Sequence, residues 1–138
     1  MKIKARIKKK IRHNIGEWLY NEHASVKVTA TQGIFNFRCF ENAVQWAKDH
    51  EDHSVIMGIY IDPRGDAVLH FWNKNQDGEH LETTRGFYAE TLKYYPMRTI
   101  HADDYLAIGH VFDDALEHYT NKFVNRWAKF WLNGDRVF

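Results

Sequence analysis

Two apolar runs joined by a short turn constrain this chain more than any other feature. Ser54-Val-Ile-Met-Gly-Ile-Tyr-Ile-Asp62 is short and almost wholly apolar, which reads as a well-buried strand. Pro63-Arg-Gly-Asp66 follows, where proline presets φ and glycine accepts a positive φ, so the chain has to turn. Ala67 to Trp72 then forms the return strand, and residues 54–73 predict a β-hairpin. A second turn, Asn73-Lys-Asn-Gln-Asp-Gly78, leads into an alternating stretch from Glu79 to Thr84. The expectation is an antiparallel meander of three strands, or four if the β-branched Ser25-Val-Lys-Val-Thr-Ala30 joins it.

Helical periodicity flanks this meander. Ile3, Ile7, Ile11 and Ile15 fall four apart over residues 2–15, one face of a helix whose other faces carry Lys2, Lys4, Arg6, Lys8, Lys9, Lys10 and Arg12. Gly16 interrupts this pattern. From Cys39 to Asp49 the apolar residues Phe40, Ala43, Val44 and Ala47 make a one-sided helical stripe, with Glu41 in its first turn and Lys48 near its end, as the helix dipole favours. Residues 87–95 are expected to form a short helix stopped by Pro96, and residues 97–100 and 105–111 two further strands. Residues 113–131 predict one long helix ended by Asn133-Gly134, with Leu116, Tyr119, Phe123, Trp127, Phe130 and Trp131 at helical spacing. The fold class expected is α+β: an antiparallel sheet of about four to six strands packed against the Cys-bearing helix and a long C-terminal helix. One domain is expected over residues 1–138, with a basic segment at 1–20, a helix and sheet core at 25–112 and the C-terminal helix at 113–132.

Composition narrows the function classes. With 138 residues and 44% hydrophobic content the chain supports a real core and does not read as disordered. No apolar run approaches the roughly 18 residues of a membrane span, and no apolar segment follows the basic start, so neither membrane insertion nor a secretory signal is expected. A single cysteine excludes an internal disulfide and points to a reducing, cytoplasmic compartment. A net charge of +1 argues against nucleic-acid binding by the molecule as a whole, leaving residues 2–12 as the one basic stretch. That stretch reads most simply as a terminal helix with solvated lysines. Five tryptophans and 15% aromatic residues imply an aromatic core or apolar surface kept for a partner.

The lone cysteine carries the chemistry. Cys39 stands at the expected helix start, where free N–H groups and the dipole favour a thiolate. His70 follows by 70 − 39 = 31 residues and shares a strand face with Val68 and Trp72. Glu82 follows His70 by 82 − 70 = 12 residues across one turn, a hairpin spacing that sets the carboxylate beside the imidazole. Nucleophile, base and orienting acid are the parts of a cysteine nucleophile site. Each residue alone has a plainer reading: a small buried hydrophobe, a structural histidine and a solvated glutamate. Their order is what joins them.

That order resembles the papain-like cysteine proteins, including the NlpC/P60-type and transglutaminase-like groups. It is most similar to small bacterial and phage proteins with Cys-aromatic-x-Asn-Ala at a helix start, a Gly-containing strand, His-x-Trp, a turn with Gly, and acid-x-Thr. Here these are Cys39-Phe40-Glu41-Asn42-Ala43, Gly58, His70-Phe71-Trp72, Gly78 and Glu82-Thr83-Thr84, all within residues 39–84. The pattern carries Asp where this chain has Glu82. Asn73 is therefore a rival orienter, although alternation turns its side chain away from that of His70. Papain-like enzymes also place a glutamine before the cysteine in the oxyanion hole. Gln32 lies seven residues before Cys39, and it also reads as a polar loop residue. Trp72 and Asn42 are candidates for a substrate cleft.

The resemblance implies a thiol hydrolase or acyltransferase acting on a peptide, isopeptide or side-chain amide through a Cys39 thioester, with a protein or peptide substrate and no cofactor. The other reading is a non-catalytic accessory protein that binds a host protein. His50 and His53, beside Asp49, Glu51 and Asp52, read as a solvated helix end, and no metal site is expected.

Overall fold

The structure is a computed structural model and describes residues 2–31 and 36–138. Its elements are α1 (Ile3–Glu22), β1 (Val28–Ala30), α2 (Cys39–Asp49), β2 (Ser54–Ile61), β3 (Ala67–Lys74), β4 (His80–Glu82), β5 (Lys93–Ile100), α3 (Ile108–Phe123) and α4 (Arg126–Leu132). Short 3₁₀ segments span Gly86–Thr91 and Ala102–Ala107. No helix among the described residues is long and apolar enough to cross a membrane.

One five-stranded sheet, in the order β1-β4-β3-β2-β5, sorts the core by strand alternation. Val55, Met57 and Ile59 of β2 with Ala67, Leu69 and Phe71 of β3 face the helices. Ile59 and Ala67 pack with Ile7, Ile11, Ile15 and Leu19 of α1 and with Ala128 and Leu132 of α4. Met57 and Phe71 pack with Ala43 of α2 and Val111 of α3. The opposite face gathers Ile56, Tyr60 and Trp72 with Val28, Ala89 and Tyr94.

The fold is mixed α and β, as expected, but its sheet is mixed rather than antiparallel. β2, β3 and β5 pair antiparallel, as do β3 and β4, while β1 runs parallel to β4. The cause is the connection through α2. A helical crossover returns the chain in its original direction, so β1 is parallel to β2 and hence to β4, two strands further along the meander.

Four other expectations are corrected. The first helix continues through Gly16 to Glu22, because that glycine lies against the β2–β3 turn and a Cβ there would run into the Gly65 carbonyl oxygen. Residues 93–95 are strand, not helix. β5 carries Pro96 within it, which the sheet tolerates because β5 is an edge strand and its register with β2 shifts between Met57 and Gly58. Residues 105–111, expected as a strand, are the end of a 3₁₀ segment and the start of α3. The long C-terminal helix is two helices. It breaks after Phe123, where the Asn125 side chain accepts from the Ala128 N–H at 2.8 Å and caps α4. The break leaves Trp127 and Phe130 exposed.

Two features position the site. β4 ends at Glu82 and on the β3 side pairs only with Asn73 and Lys74, so the rest of β3 has no strand on that side among the described residues. α2, packed on the helical face, brings its first residue to this open edge.

Candidate active site

Local sequence sets up the start of α2. Phe37 takes a left-handed φ of 59°, and the Asn36 side chain accepts from the Arg38 N–H at 3.0 Å and from Asn42 Nδ2 at 2.9 Å. The chain thus bends sharply into the helix. No side chain caps it, and the first-turn N–H groups have no acceptor within the helix. One of them, on Phe40, lowers the Cys39 thiol, and the open edge of β3 supplies a second such group, the Phe71 N–H.

Cys39 is half-buried and neighbours the His70 ring, which acts on its thiol through hydrogen bonding and charge. His70 is itself buried, and its Nε2 lies 2.8 Å and 3.0 Å from the two Glu82 carboxylate oxygens. With Nε2 committed to Glu82, Nδ1 is the nitrogen left to the thiol. Glu82 is wholly buried. It accepts further from the Tyr94 hydroxyl, the Thr84 N–H at 2.9 Å and the Arg85 N–H at 3.3 Å. Every lone-pair direction of this carboxylate is accounted for, which is what keeps a buried charge tolerable.

The electrostatics follow from these partners. Burial pushes the Cys39 thiol up, but the His70 hydrogen bond and charge, with the Phe71 and Phe40 N–H groups, outweigh it and hold the thiol below its usual value of 9.0. Burial pulls His70 down, yet the bonds to Cys39 and Glu82 and their charges raise it to about 9. Burial also raises Glu82, and the imidazole, Tyr94 and the Thr84 N–H reverse this to a net lowering. All three shifts favour thiolate, imidazolium and carboxylate at neutral pH.

The thiol opens into a cavity of about 420 Å³ lined by Phe37, Val68, Leu69, Thr84, Arg85 and Tyr88 together with Cys39 and His70. A larger cavity of about 510 Å³ lies between α3 and the C-terminal residues, and neither Cys39 nor His70 reaches it.

Of the residues singled out from sequence, the structure brings together Cys39, His70 and Glu82. Asn73 does not touch the imidazole. It is fully buried, donating to the Ala43 carbonyl at 2.9 Å and the Ser54 carbonyl at 3.2 Å and accepting from the Thr83 hydroxyl at 3.0 Å. Trp72 lines no cleft, because it is fully buried and donates from Nε1 to His80 Nδ1 at 2.9 Å. Asn42 stands behind the cavity and donates to the Thr84 hydroxyl at 3.0 Å. Gln32 lies outside the described residues. Sequence reasoning missed Tyr94 and Arg85, and named Thr84 only as the last residue of the acid-x-Thr motif. The β-favouring residues of Lys93-Tyr-Tyr-Pro-Met-Arg-Thr-Ile100, namely Tyr94, Tyr95, Thr99 and Ile100, were the available signal for Tyr94. Nothing in the sequence marked Arg85. Compared with known protein families, curated proteins and solved structures, the chain matches none.

Proposed function

We propose that the protein is a thiol hydrolase or acyltransferase of papain-like chemistry, acting on a peptide, isopeptide or side-chain amide. The observation that carries this reading is a buried imidazole held between a half-buried thiol and a fully satisfied carboxylate, at the wall of an accessible cavity. The Cys39 thiolate attacks the carbonyl carbon. The Cys39 N–H at the start of α2 serves as a donor to the oxyanion. Imidazolium gives its proton to the departing amine, leaving a thioester on Cys39 and a neutral His70. Water or a second amine, deprotonated by His70, then attacks the thioester and the thiol leaves. Glu82 fixes the ring and stabilises its charged form. A reduced thiol of this kind suits a cytoplasmic setting.

Reactivity toward iodoacetamide tests the reading. At about pH 6 Cys39 is expected to alkylate far faster than an ordinary cysteine, and to lose that advantage in His70→Ala. A thiol no more reactive than free cysteine overturns it. A second reading, a non-catalytic protein that binds a partner, is favoured by the exposed aromatic rings of Trp127, Phe130 and Trp131 on and beside one short helix. Slow alkylation, together with partner binding that needs those rings, is its signature.

A further inference from the structure

We infer that the cavity beside Cys39 selects acyl substrates bearing a carboxylate, which Arg85 binds. This rests on the thiol chemistry proposed above and adds its substrate class. The argument starts from the charges around the cavity. Thiolate and imidazolium cancel each other. The Glu82 carboxylate is wholly buried behind His70 and is met by the imidazole, the Tyr94 hydroxyl and the Thr84 and Arg85 N–H groups. The Arg85 guanidinium lines the cavity, and its carbon sits 4.6 Å from the centroid of the Tyr60 ring. Among the described residues that guanidinium makes no side-chain hydrogen bond and no ion pair, so none of them fills its donors. The walls around it, Phe37, Val68, Leu69 and Tyr88, carry no anion.

A partly buried guanidinium held over an aromatic ring is well suited to a carboxylate, which it grips through two parallel N–H bonds. Its contact with the Tyr60 ring also lowers the entropy lost when a ligand binds. A substrate carboxylate is therefore expected close to the scissile carbonyl, since Arg85 and Cys39 border one cavity. The apolar remainder of the substrate lies against Phe37 and Tyr88, whose rings are largely exposed without it.

Two alkylating reagents that differ only in this feature test the assignment. Iodoacetate and iodoacetamide share a leaving group, and one carries a carboxylate where the other has an amide. The ratio of their rates at Cys39 is expected to fall about tenfold in Arg85→Gln and to be partly kept in Arg85→Lys, while the iodoacetamide rate stays close to wild type. An unchanged ratio overturns the assignment. So does an equal fall with both reagents, which would mean that Arg85 acts on the thiolate and not on the ligand. In the unmodified protein N-acetylglycine is expected to protect Cys39 from iodoacetamide and its neutral amide is not, and equal protection by both overturns the assignment without any variant. Slow reaction of wild type with both reagents overturns the thiol chemistry itself, and the carboxylate assignment with it.

Discussion

The His70 imidazole and the Glu82 carboxylate meet along a diagonal of the sheet, not directly across it. The register sets Asn73 opposite Leu81, so Glu82 continues opposite Trp72, two residues from His70 on the same face. A diagonal neighbour stands about 7–8 Å away, more than a directly opposed one. The extra methylene of glutamate covers that gap, bringing both oxygens to within 3.0 Å of Nε2 and leaving one of them for Tyr94. Glu82→Asp is expected to keep the charge but lose one of these two partners, giving thiol reactivity between wild type and Glu82→Gln. Glu82→Gln removes the charge that holds His70 protonated. Its alkylation rate at about pH 6 is expected to fall about tenfold or more, since one pKa unit on the thiol is a tenfold change in thiolate. Equal rates in wild type and Glu82→Gln would show that the acid plays no part.

The same carboxylate makes fold stability depend on acid. Its folded pKa lies below the ordinary 4.5, so the stability it contributes is present above that value and is lost as pH falls through the lowered folded pKa. Urea midpoints measured from neutral to acidic pH are expected to drop over this window in wild type and to change less in Glu82→Gln. At neutral pH the Gln variant is expected to be less stable by about 1–3 kcal/mol, because Tyr94 and His70 lose a shared acceptor. Parallel curves for the two proteins would count against the assignment.

Much of this site was legible because a turn sets register. Pro63-Arg-Gly-Asp66 fixes β2 against β3, and alternation along β3 puts His70 on the face of Val68 and Trp72. The second turn brings Glu82 near it. The placement of Cys39 was not legible in the same way. It depends on how short β4 is, which leaves the edge of β3 open to the first turn of α2, and a strand that stops at Glu82 looks in sequence like one running on to Thr84. Pro96 misled in the other direction. Read as a helix stop, it concealed a strand and with it Tyr94. The bend at Val124-Asn125 was hidden because Leu116, Tyr119, Phe123 and Trp127 keep helical spacing across a capped break.

Asn73 tethers α2 to the sheet and not the imidazole to its acid. Asn73→Asp is expected to be worse than Asn73→Ala, since an acid turns acceptor oxygens toward the Ala43 and Ser54 carbonyls, where alanine merely leaves them unpaired. The alanine variant is expected to lose about 2 kcal/mol or more in denaturant unfolding. A stable aspartate variant would contradict this.

Gly16 and Gly109 separate helix propensity from packing. Alanine is favoured over glycine within helices by about 1 kcal/mol. At Gly109 the nearest atom to an added Cβ is Arg136 Nη2 at 3.6 Å, an ordinary contact, and Gly109→Ala is expected to stabilise the protein modestly. At Gly16 the added Cβ meets the Gly65 carbonyl and lies 3.2 Å from the Ala67 nitrogen, so the backbone turn has to move. Gly16→Ala is expected to destabilise by about 1–3 kcal/mol despite its propensity. Thermal unfolding of the two variants checks the opposite signs.

The central claim is that Cys39 is a thiolate paired with His70 at neutral pH. Because the chain has one cysteine, the ultraviolet absorbance of its thiolate can be titrated directly, with Cys39→Ser as the blank. The geometry predicts that the thiolate signal appears at a pH below the ordinary thiol value of 9.0. In His70→Ala the largest lowering partner is gone while burial and the Phe71 and Phe40 N–H groups remain, so the signal is expected to move to higher pH than in wild type. A wild-type signal that appears no earlier than that of free cysteine, or one that His70→Ala leaves in place, would contradict the account.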